Sequence, residues 1–311
     1  MRQSLILSVL ILVGLALFGF FTRPESPVSQ AYISESTPAL QSAQAYLLPI
    51  SEPAYAPTRD TTVAAPTIDA NAALVVHLET GRVLFEKNST VQVPIASLTK
   101  LISVVVTTEL FDKQEIVTIA SNSIRVDGQK QTLYEGERMS VGDLVTMMLV
   151  ESSNDAAYAI AAYAQSQGID FVAHMNRVAR QLGMDDCRFT NPAGLDDTAF
   201  CSASSVFKLI RFMMRTPSQV WPITTSPEIT LQSADGRFLH QLKNTNELLG
   251  VIDGIRGGKT GYTDGALGCL ALIVELPEKS DTLISIVLGS RGRFADTQTL
   301  LQWTQRAYRW K

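Results

Sequence analysis

The pattern of apolar and polar positions divides the chain into three zones. Residues 4–21, SLILSVLILVGLALFGFF, are 18 positions without a charge. At ~1.5 Å per residue they span roughly 27 Å, close to the ~30 Å hydrocarbon core of a bilayer. Residues 22–68 show no sustained period and hold seven of the thirteen prolines. That density excludes long helices and central strands, so a tether is expected there. From Asp69 onward the pattern is regular.

AALVVHLETGRVLFEKN, residues 72–88, has two apolar runs around Glu79-Thr80-Gly81, which is a hairpin signal. Ser97 to about Phe111 is mostly apolar at helical length, predicting a buried central helix. Four further helical segments follow: VGDLVTMMLV and NDAAYAIAAYA within residues 141–164, FVAHMNRVARQLGM ending near Gly183, and SSVFKLIRFMMRT. The pattern then changes. Gly268–Leu276 and Thr282–Leu288 are apolar runs bounded by turn residues, expected to be adjacent antiparallel strands. The tail FADTQTLLQWTQRAYRW reads as a closing amphipathic helix. Strands at both ends with helices between them predict an α/β (α+β) fold. Its antiparallel sheet would draw on both chain ends, be flanked by helices, and accept an inserted helical subdomain. There is no internal repeat.

Composition narrows the function. The 311 residues are 46% hydrophobic and 18% charged, enough for one large folded domain over residues 69–311. Net charge is −4, and no Lys/Arg run interleaves with aromatics. Nucleic acid is therefore not an expected partner. Arg2 precedes the apolar run, which places the N-terminus in the cytoplasm and the rest of the chain outside. No small-x-small site follows the run closely; Ser29-Gln30-Ala31 lies farther along. Residues 1–21 are read as an uncleaved signal anchor, with a cleaved signal peptide as the alternative. There are three cysteines, Cys187, Cys201 and Cys269. Outside the cytoplasm a bridge between Cys187 and Cys201 would persist, closing a short loop for ~3 kcal/mol. Three free thiols is the other reading. Cys269 sits in an apolar run and reads as a buried thiol. The histidines, His77, His174 and His240, are scattered, so no metal or other cofactor is expected.

Ser97 and Lys100 open the apolar helix in PIASLTKLISVVV. Positions i and i+3 share a helix face, so the Lys100 amine can reach the Ser97 hydroxyl. A serine needs a base to become a nucleophile. A lysine becomes one when burial or a second cation lowers its pKa from ~10.4. The free amides of a helix start can also bind an oxyanion. The spacing alone is uninformative, because Ser205-Val-Phe-Lys208 repeats it inside an amphipathic helix. Two more motifs separate the pair. Ser152-Ser153-Asn154 falls at a break between two helical segments, and Lys259-Thr260-Gly261-Tyr262 precedes the strand-like GCLALIVEL. Each alone is an ordinary turn. In this order and spacing they match the signature of serine penicillin-interacting enzymes.

From about Asp69 to Lys311 the chain resembles the D-alanyl-D-alanine carboxypeptidases, the low-molecular-mass penicillin-binding proteins. FTNPAGLDD (residues 189–197) and KNTNELLG (residues 243–250) resemble further stretches of that family. The resemblance implies a β-lactamase/DD-peptidase-like fold and a serine peptidase acting on bacterial peptidoglycan stem peptides. It implies β-lactams as covalent inhibitors. The N-terminal segment, if kept, would hold the exported domain on the outer face of the cytoplasmic membrane; if cleaved, the domain would be secreted. Carried over, Ser97 attacks the penultimate D-alanine carbonyl and Lys100 takes its proton. Ser152 and Asn154 relay a proton to the leaving group and orient the substrate. Lys259 and Thr260 hold the terminal carboxylate. Gly261 lets its strand approach closely. The Ser97 and Tyr262 amides form the oxyanion hole.

Two departures stand out. The family's Asp-Gly-x-Lys-Thr-Gly is here Asp253-Gly-Ile-Arg-Gly-Gly-Lys259, three residues longer. The family often places a carboxylate-binding arginine after the next strand; Arg291 is carried in that role, with Arg293 open beside it. Other readings are a DD-endopeptidase cutting cross-links, a β-lactamase, or a wall-binding protein with a spent site. The β-lactamase lacks its Glu-x-x-Leu-Asn stretch between Asn154 and Lys259.

Overall fold

The computed structural model describes residues 56–124, 132–216, 220–276 and 281–310. The expected signal anchor and the expected tether through residue 55 lie outside them, whereas residues 56–68 of that tether are described. Among the described residues no helix is long and apolar enough to cross a membrane.

The strands in chain order are β1 Thr58–Arg59, β2 Ala72–His77, β3 Val83–Lys87, β4 Val93–Pro94, β5 Ile116–Thr118, β6 Arg138–Ser140, β7 Phe200–Cys201, β8 Glu228–Gln232, β9 Leu239–Lys243, β10 Ile255–Thr263, β11 Leu267–Leu276, β12 Asp281–Ser290 and β13 Tyr308–Arg309. The helices are α1 Thr99–Leu110, α2 Val141–Val150, α3 Asn154–Ser166, α4 Phe171–Gln181, α5 Ala203–Arg215, α6 Val220–Ile223 and α7 Arg293–Ala307. Five strands form the main antiparallel sheet in the order β10-β11-β12-β2-β3. The two chain ends meet where β12 pairs with β2, from Leu283↔His77 to Leu288↔Ala72.

The apolar runs of β11 and β12 are continuous because both sheet faces are covered. On one face Val75, Leu270, Leu272, Leu283 and Val287 pack with Leu300, Leu301 and Trp303 of α7. On the other, Leu74, Val76, Ala271, Ile273, Ile284 and Ile286 join one large core with α1 to α5. Helix α1 is buried from Thr99 through Thr107, as its uniform apolarity predicts.

The fold differs from the sequence reading at both ends. The tail helix stops at Ala307, and Tyr308–Arg309 continues as a strand against Thr58–Arg59. Arg59 donates to the Val63 carbonyl at 2.7 Å and lies 4.6 Å over the Trp303 ring. Ordered structure therefore reaches back before Asp69, through a strand too short to show any period. The β8–β9 hairpin, outside the main sheet, was likewise silent in the pattern.

Candidate active site

Ser97 stands in a single 3-10 turn, Ala96–Leu98, that leads into α1. The expected helix thus begins two residues late, and Ser97 sits just ahead of its regular turns. Ala96 takes a left-handed φ of +47°. That strained conformation is held from behind by the loop Asn191–Leu195. Asn191 Oδ1 accepts from the amides of Ala193, Gly194 and Leu195 at 3.0, 2.7 and 3.2 Å. Gly194, at φ +75°, brings its backbone so close that a Cβ would lie 2.0 Å from the Ala96 carbonyl oxygen.

Lys100 is fully buried, and its ammonium donates to three acceptors. These are Ser97 Oγ at 2.8 Å, Asn154 Oδ1 at 2.7 Å and the Ala193 carbonyl at 3.1 Å. Ser152 and Asn154 come from the break between α2 and α3. Ser153 makes that break by capping α3 through the Ala156 amide at 3.2 Å. Ser152 is left at φ +66°, an uncommon left-handed value for a residue with a side chain. Its hydroxyl accepts from Lys259 Nζ at 2.8 Å.

Lys259 and Thr260 lie on β10, at the open edge of the sheet beside the Ser97 turn. A Cβ on Gly261 would sit 3.0 Å from the Ser97 amide nitrogen and 3.2 Å from Ala96 Cβ. A side chain there would press on the Ser97 turn, which glycine leaves free to lie against the strand. Tyr262, the next residue, is 58% exposed at the rim. The longer lead-in to Lys259 runs within β10, and a bulge between Ile255 and Gly257 takes up one of its residues. Gly257 packs there against the Trp221 ring.

The electrostatics follow from burial. Lys100 is held well below the usual lysine range, first by desolvation and second by the charge of Lys259. Lys259 is itself lowered to about 7, first by burial and second by Arg293. A neutral Lys100 can keep its two N–H bonds to Asn154 and Ala193 and turn its lone pair to the Ser97 hydroxyl. The site thus holds a lysine of lowered pKa beside a serine, and a second lysine whose charge reaches the first.

Arg291 does not belong to it. Its side chain is 82% exposed and faces Asp69 at 3.7 Å, because β12 ends at Ser290 and the chain turns outward. Two residues on, in the first turn of α7, Arg293 points back. It lies 6.0 Å from the Tyr262 ring centroid and its charge reaches Lys259. Thr245 belongs to no motif of the sequence, yet its hydroxyl meets Thr260 Oγ1 at 2.5 Å. KNTNELLG supplied the only hint of it. The Ser205–Lys208 twin is structural: Ser205 Oγ donates to Asp186, and Lys208 Nζ donates to the Gly183 carbonyl. Both hold the segment that leads into the loop closed by the Cys187–Cys201 disulfide. Cys269 is a buried free thiol.

An inserted helical subdomain over an antiparallel sheet, with Ser-x-x-Lys, Ser-x-Asn and Lys-Thr-Gly converging at one edge, defines a penicillin-binding-protein-like DD-peptidase fold. The peptidase S11 family model, described as D-alanyl-D-alanine carboxypeptidase, matches residues 59–292, and the chain belongs to that family. D-alanyl-D-alanine carboxypeptidase DacD of Salmonella typhimurium is 31% identical over 78% of this chain and 64% of its own length. DacF of Bacillus subtilis is 30% identical over 65% of this chain and 53% of its own length. The chain thus spans between half and two thirds of these relatives. A D-alanyl-D-alanine endopeptidase of Pseudomonas aeruginosa is 29% identical over 76% of this chain and 77% of its own length. Among solved structures, a D-alanyl-D-alanine carboxypeptidase of Mycobacterium tuberculosis superposes with a TM-score of 0.72 at 25% identity. It covers 80% of this chain and 96% of that one. Penicillin-binding protein D2 of Listeria monocytogenes, in its ampicillin-bound form, gives 0.66 at 31% identity over 78% of this chain and all of that one.

Proposed function

We propose that this chain is a serine-type D-Ala-D-Ala carboxypeptidase that trims the terminal D-alanine from peptidoglycan stem peptides. The observation that carries the proposal is the 2.8 Å contact between Ser97 Oγ and a wholly buried Lys100 amine of lowered pKa. Neutral Lys100 takes the Ser97 proton as Oγ bonds to the penultimate D-alanine carbonyl carbon. The oxyanion forms against the Ser97 and Tyr262 amides. The peptide C–N bond breaks as a proton passes through Ser152 to the departing amine, leaving an acyl group on Ser97. Water then attacks the ester carbonyl as Lys100 takes its proton; the C–Oγ bond breaks, Lys100 returns the proton to Ser97 Oγ, and the shortened peptide leaves with a new carboxylate. Thr260, charged Lys259 and Arg293 face the terminal carboxylate, and Asn154 holds Lys100 and the substrate amide.

β-Lactams would be trapped at the acyl stage, with the strained amide standing in for the D-Ala-D-Ala bond. Export is part of the proposal: peptidoglycan lies outside the cytoplasm, and the Cys187–Cys201 disulfide suits that compartment. Attachment through residues 4–21 to the outer face of the membrane completes it. One observation favours a DD-endopeptidase as second reading. The endopeptidases of Pseudomonas aeruginosa and Escherichia coli match over 77% and 80% of their length.

The test is mass spectrometry of penicillin-treated protein, followed by product analysis. An adduct on Ser97 and release of free D-alanine from a pentapeptide are expected. An adduct that persists in Ser97→Ala overturns the site. Cleavage of cross-linked dimers without release of D-alanine from the pentapeptide assigns the endopeptidase.

A further inference from the structure

Far from the cleft, the fold gathers three side chains that the sequence keeps apart. His77 closes β2, Glu79 lies in the following turn, and Asp281 opens β12. The ring nitrogen Nε2 of His77 is 2.9 Å from Asp281 Oδ1 and 3.0 Å from Glu79 Oε2. The three ligand atoms all lie within 4.8 Å of one another. His77 is 1% exposed and Asp281 7%. Ser290, where β12 approaches the catalytic edge, is roughly 30 Å away at ~3.4 Å per residue.

As it stands, this cluster is poorly balanced. Two carboxylates converge on one imidazole nitrogen that carries one proton at most. The second oxygen of Asp281, Oδ2, is buried and has no hydrogen-bond partner among the described residues. A buried carboxylate with an orphan oxygen is destabilising unless a cation compensates it. The other imidazole nitrogen, Nδ1, meets Thr80 Oγ1 at 2.7 Å, which orients the ring and frees Nε2 for a ligand role. Glu79 also accepts the Thr282 amide at 3.1 Å, so its carboxylate is anchored even though its side chain is 44% exposed. That exposed flank leaves an entry path and room for water.

We propose that His77 Nε2, Glu79 and Asp281 form a divalent transition-metal site, with Zn²⁺ the best-matched cation. One imidazole and two carboxylates supply three ligands of the right chemistry, and water completes a tetrahedral set. Asp281 Oδ2 is available for a bidentate hold. The metal would clamp the β2–β3 turn to the start of β12, joining the early and late parts of the chain. Its role is structural and separate from the chemistry at Ser97.

The test is titration of the EDTA-stripped full-length chain with Zn²⁺, followed by calorimetry and melting temperature. One equivalent is expected to bind and to raise the melting temperature. Trp310, whose ring centroid is 6.0 Å from that of His77, should report binding by fluorescence. Co²⁺ in place of Zn²⁺ should give the visible bands of a low-coordinate site. His77→Ala is expected to abolish binding. Glu79→Gln, on the exposed side, keeps the Thr282 acceptor and should fold, but bind at least about tenfold more weakly. Penicillin labelling of Ser97 should be unchanged in Glu79→Gln. Failure of the wild-type chain to bind one equivalent overturns the site. So does binding that survives both variants and is lost in His174→Ala, since His174 and Glu109 form a surface pair elsewhere.

Discussion

The backbone of Gly194 rests directly on the carbonyl of Ala96, leaving no room for a methyl group between them. A Cβ at Gly194 would fall 2.0 Å from Ala96 O and 2.6 Å from Thr99 Oγ1. The contact sets the turn that presents Ser97, and the adjacent Ala193 carbonyl holds Lys100. Ser97 and Lys100 are therefore positioned by one loop. Gly194→Ala must relieve both the clash and a φ of +75°, and should lose roughly 2–4 kcal/mol of stability. Among molecules that remain folded, penicillin acylation should slow at least about tenfold. A urea melt and a labelling time course check both outcomes.

Much of this arrangement was legible beforehand, and the exceptions share a cause. Ser97, Lys100, Ser152, Asn154 and Lys259 each belong to a short motif whose order along the chain carries information. The core strands announced themselves by apolar runs. Ala193 acts through a carbonyl, which every residue possesses, so no residue type marks it. Arg293 and Arg291 differ only in which side of a helix start they occupy. The meeting of His77 with Asp281 depends on the strand register Leu283↔His77, which no local pattern reveals.

The two buried lysines predict a bell-shaped pH profile for acylation. The ascending limb belongs to Lys100, which must be neutral to act as the base. Its pKa is lowered by burial and by Lys259. The descending limb belongs to Lys259, which must be charged to attract a carboxylate and loses its proton at about 7. Lys259→Met should remove the descending limb. It should also move the ascending limb to higher pH, because a cation that repels the Lys100 proton is gone. Stopped-flow acylation across pH reads both limbs.

Asn154 is a neutral acceptor 2.7 Å from Lys100 Nζ, and its neutrality matters. Asn154→Asp would place a carboxylate there and stabilise the ammonium form. Lys100 would then stay protonated at neutral pH. Acylation should fall about a thousandfold with the fold retained, and recover partly as pH rises. Asn154→Ala should lose activity without that alkaline recovery. Comparing the two profiles distinguishes charge from shape.

The disulfide predicts a stability effect separate from chemistry. Cys187 and Cys201 close a loop of sequence separation 14. Reduction should lower stability by about 3 kcal/mol. β7, which contains Cys201, pairs with β4 just ahead of the Ser97 turn, so the loss should loosen that support. Chemical denaturation with and without reductant measures it, and Cys269, being buried and unpaired, should leave the difference unchanged in Cys269→Ala.

The two neighbouring arginines give the sharpest contrast. Arg291 is exposed and faces Asp69, so Arg291→Ala should leave kcat/KM within about twofold. Arg293 is half-buried beside Tyr262, and its charge contributes to the lowered pKa of Lys259. In the proposed function Arg293 is a bidentate partner for the terminal carboxylate, and Arg293→Ala removes it. For a peptide with a free C-terminus, kcat/KM should fall about 10- to 100-fold. The same variant should move the descending pH limb upward, since one of the cations opposing the Lys259 proton is gone while burial persists. A peptide whose terminal carboxylate is amidated should show little difference between wild type and Arg293→Ala. Equal loss on both substrates would mean that Arg293 supports the fold of the β10 edge rather than the carboxylate.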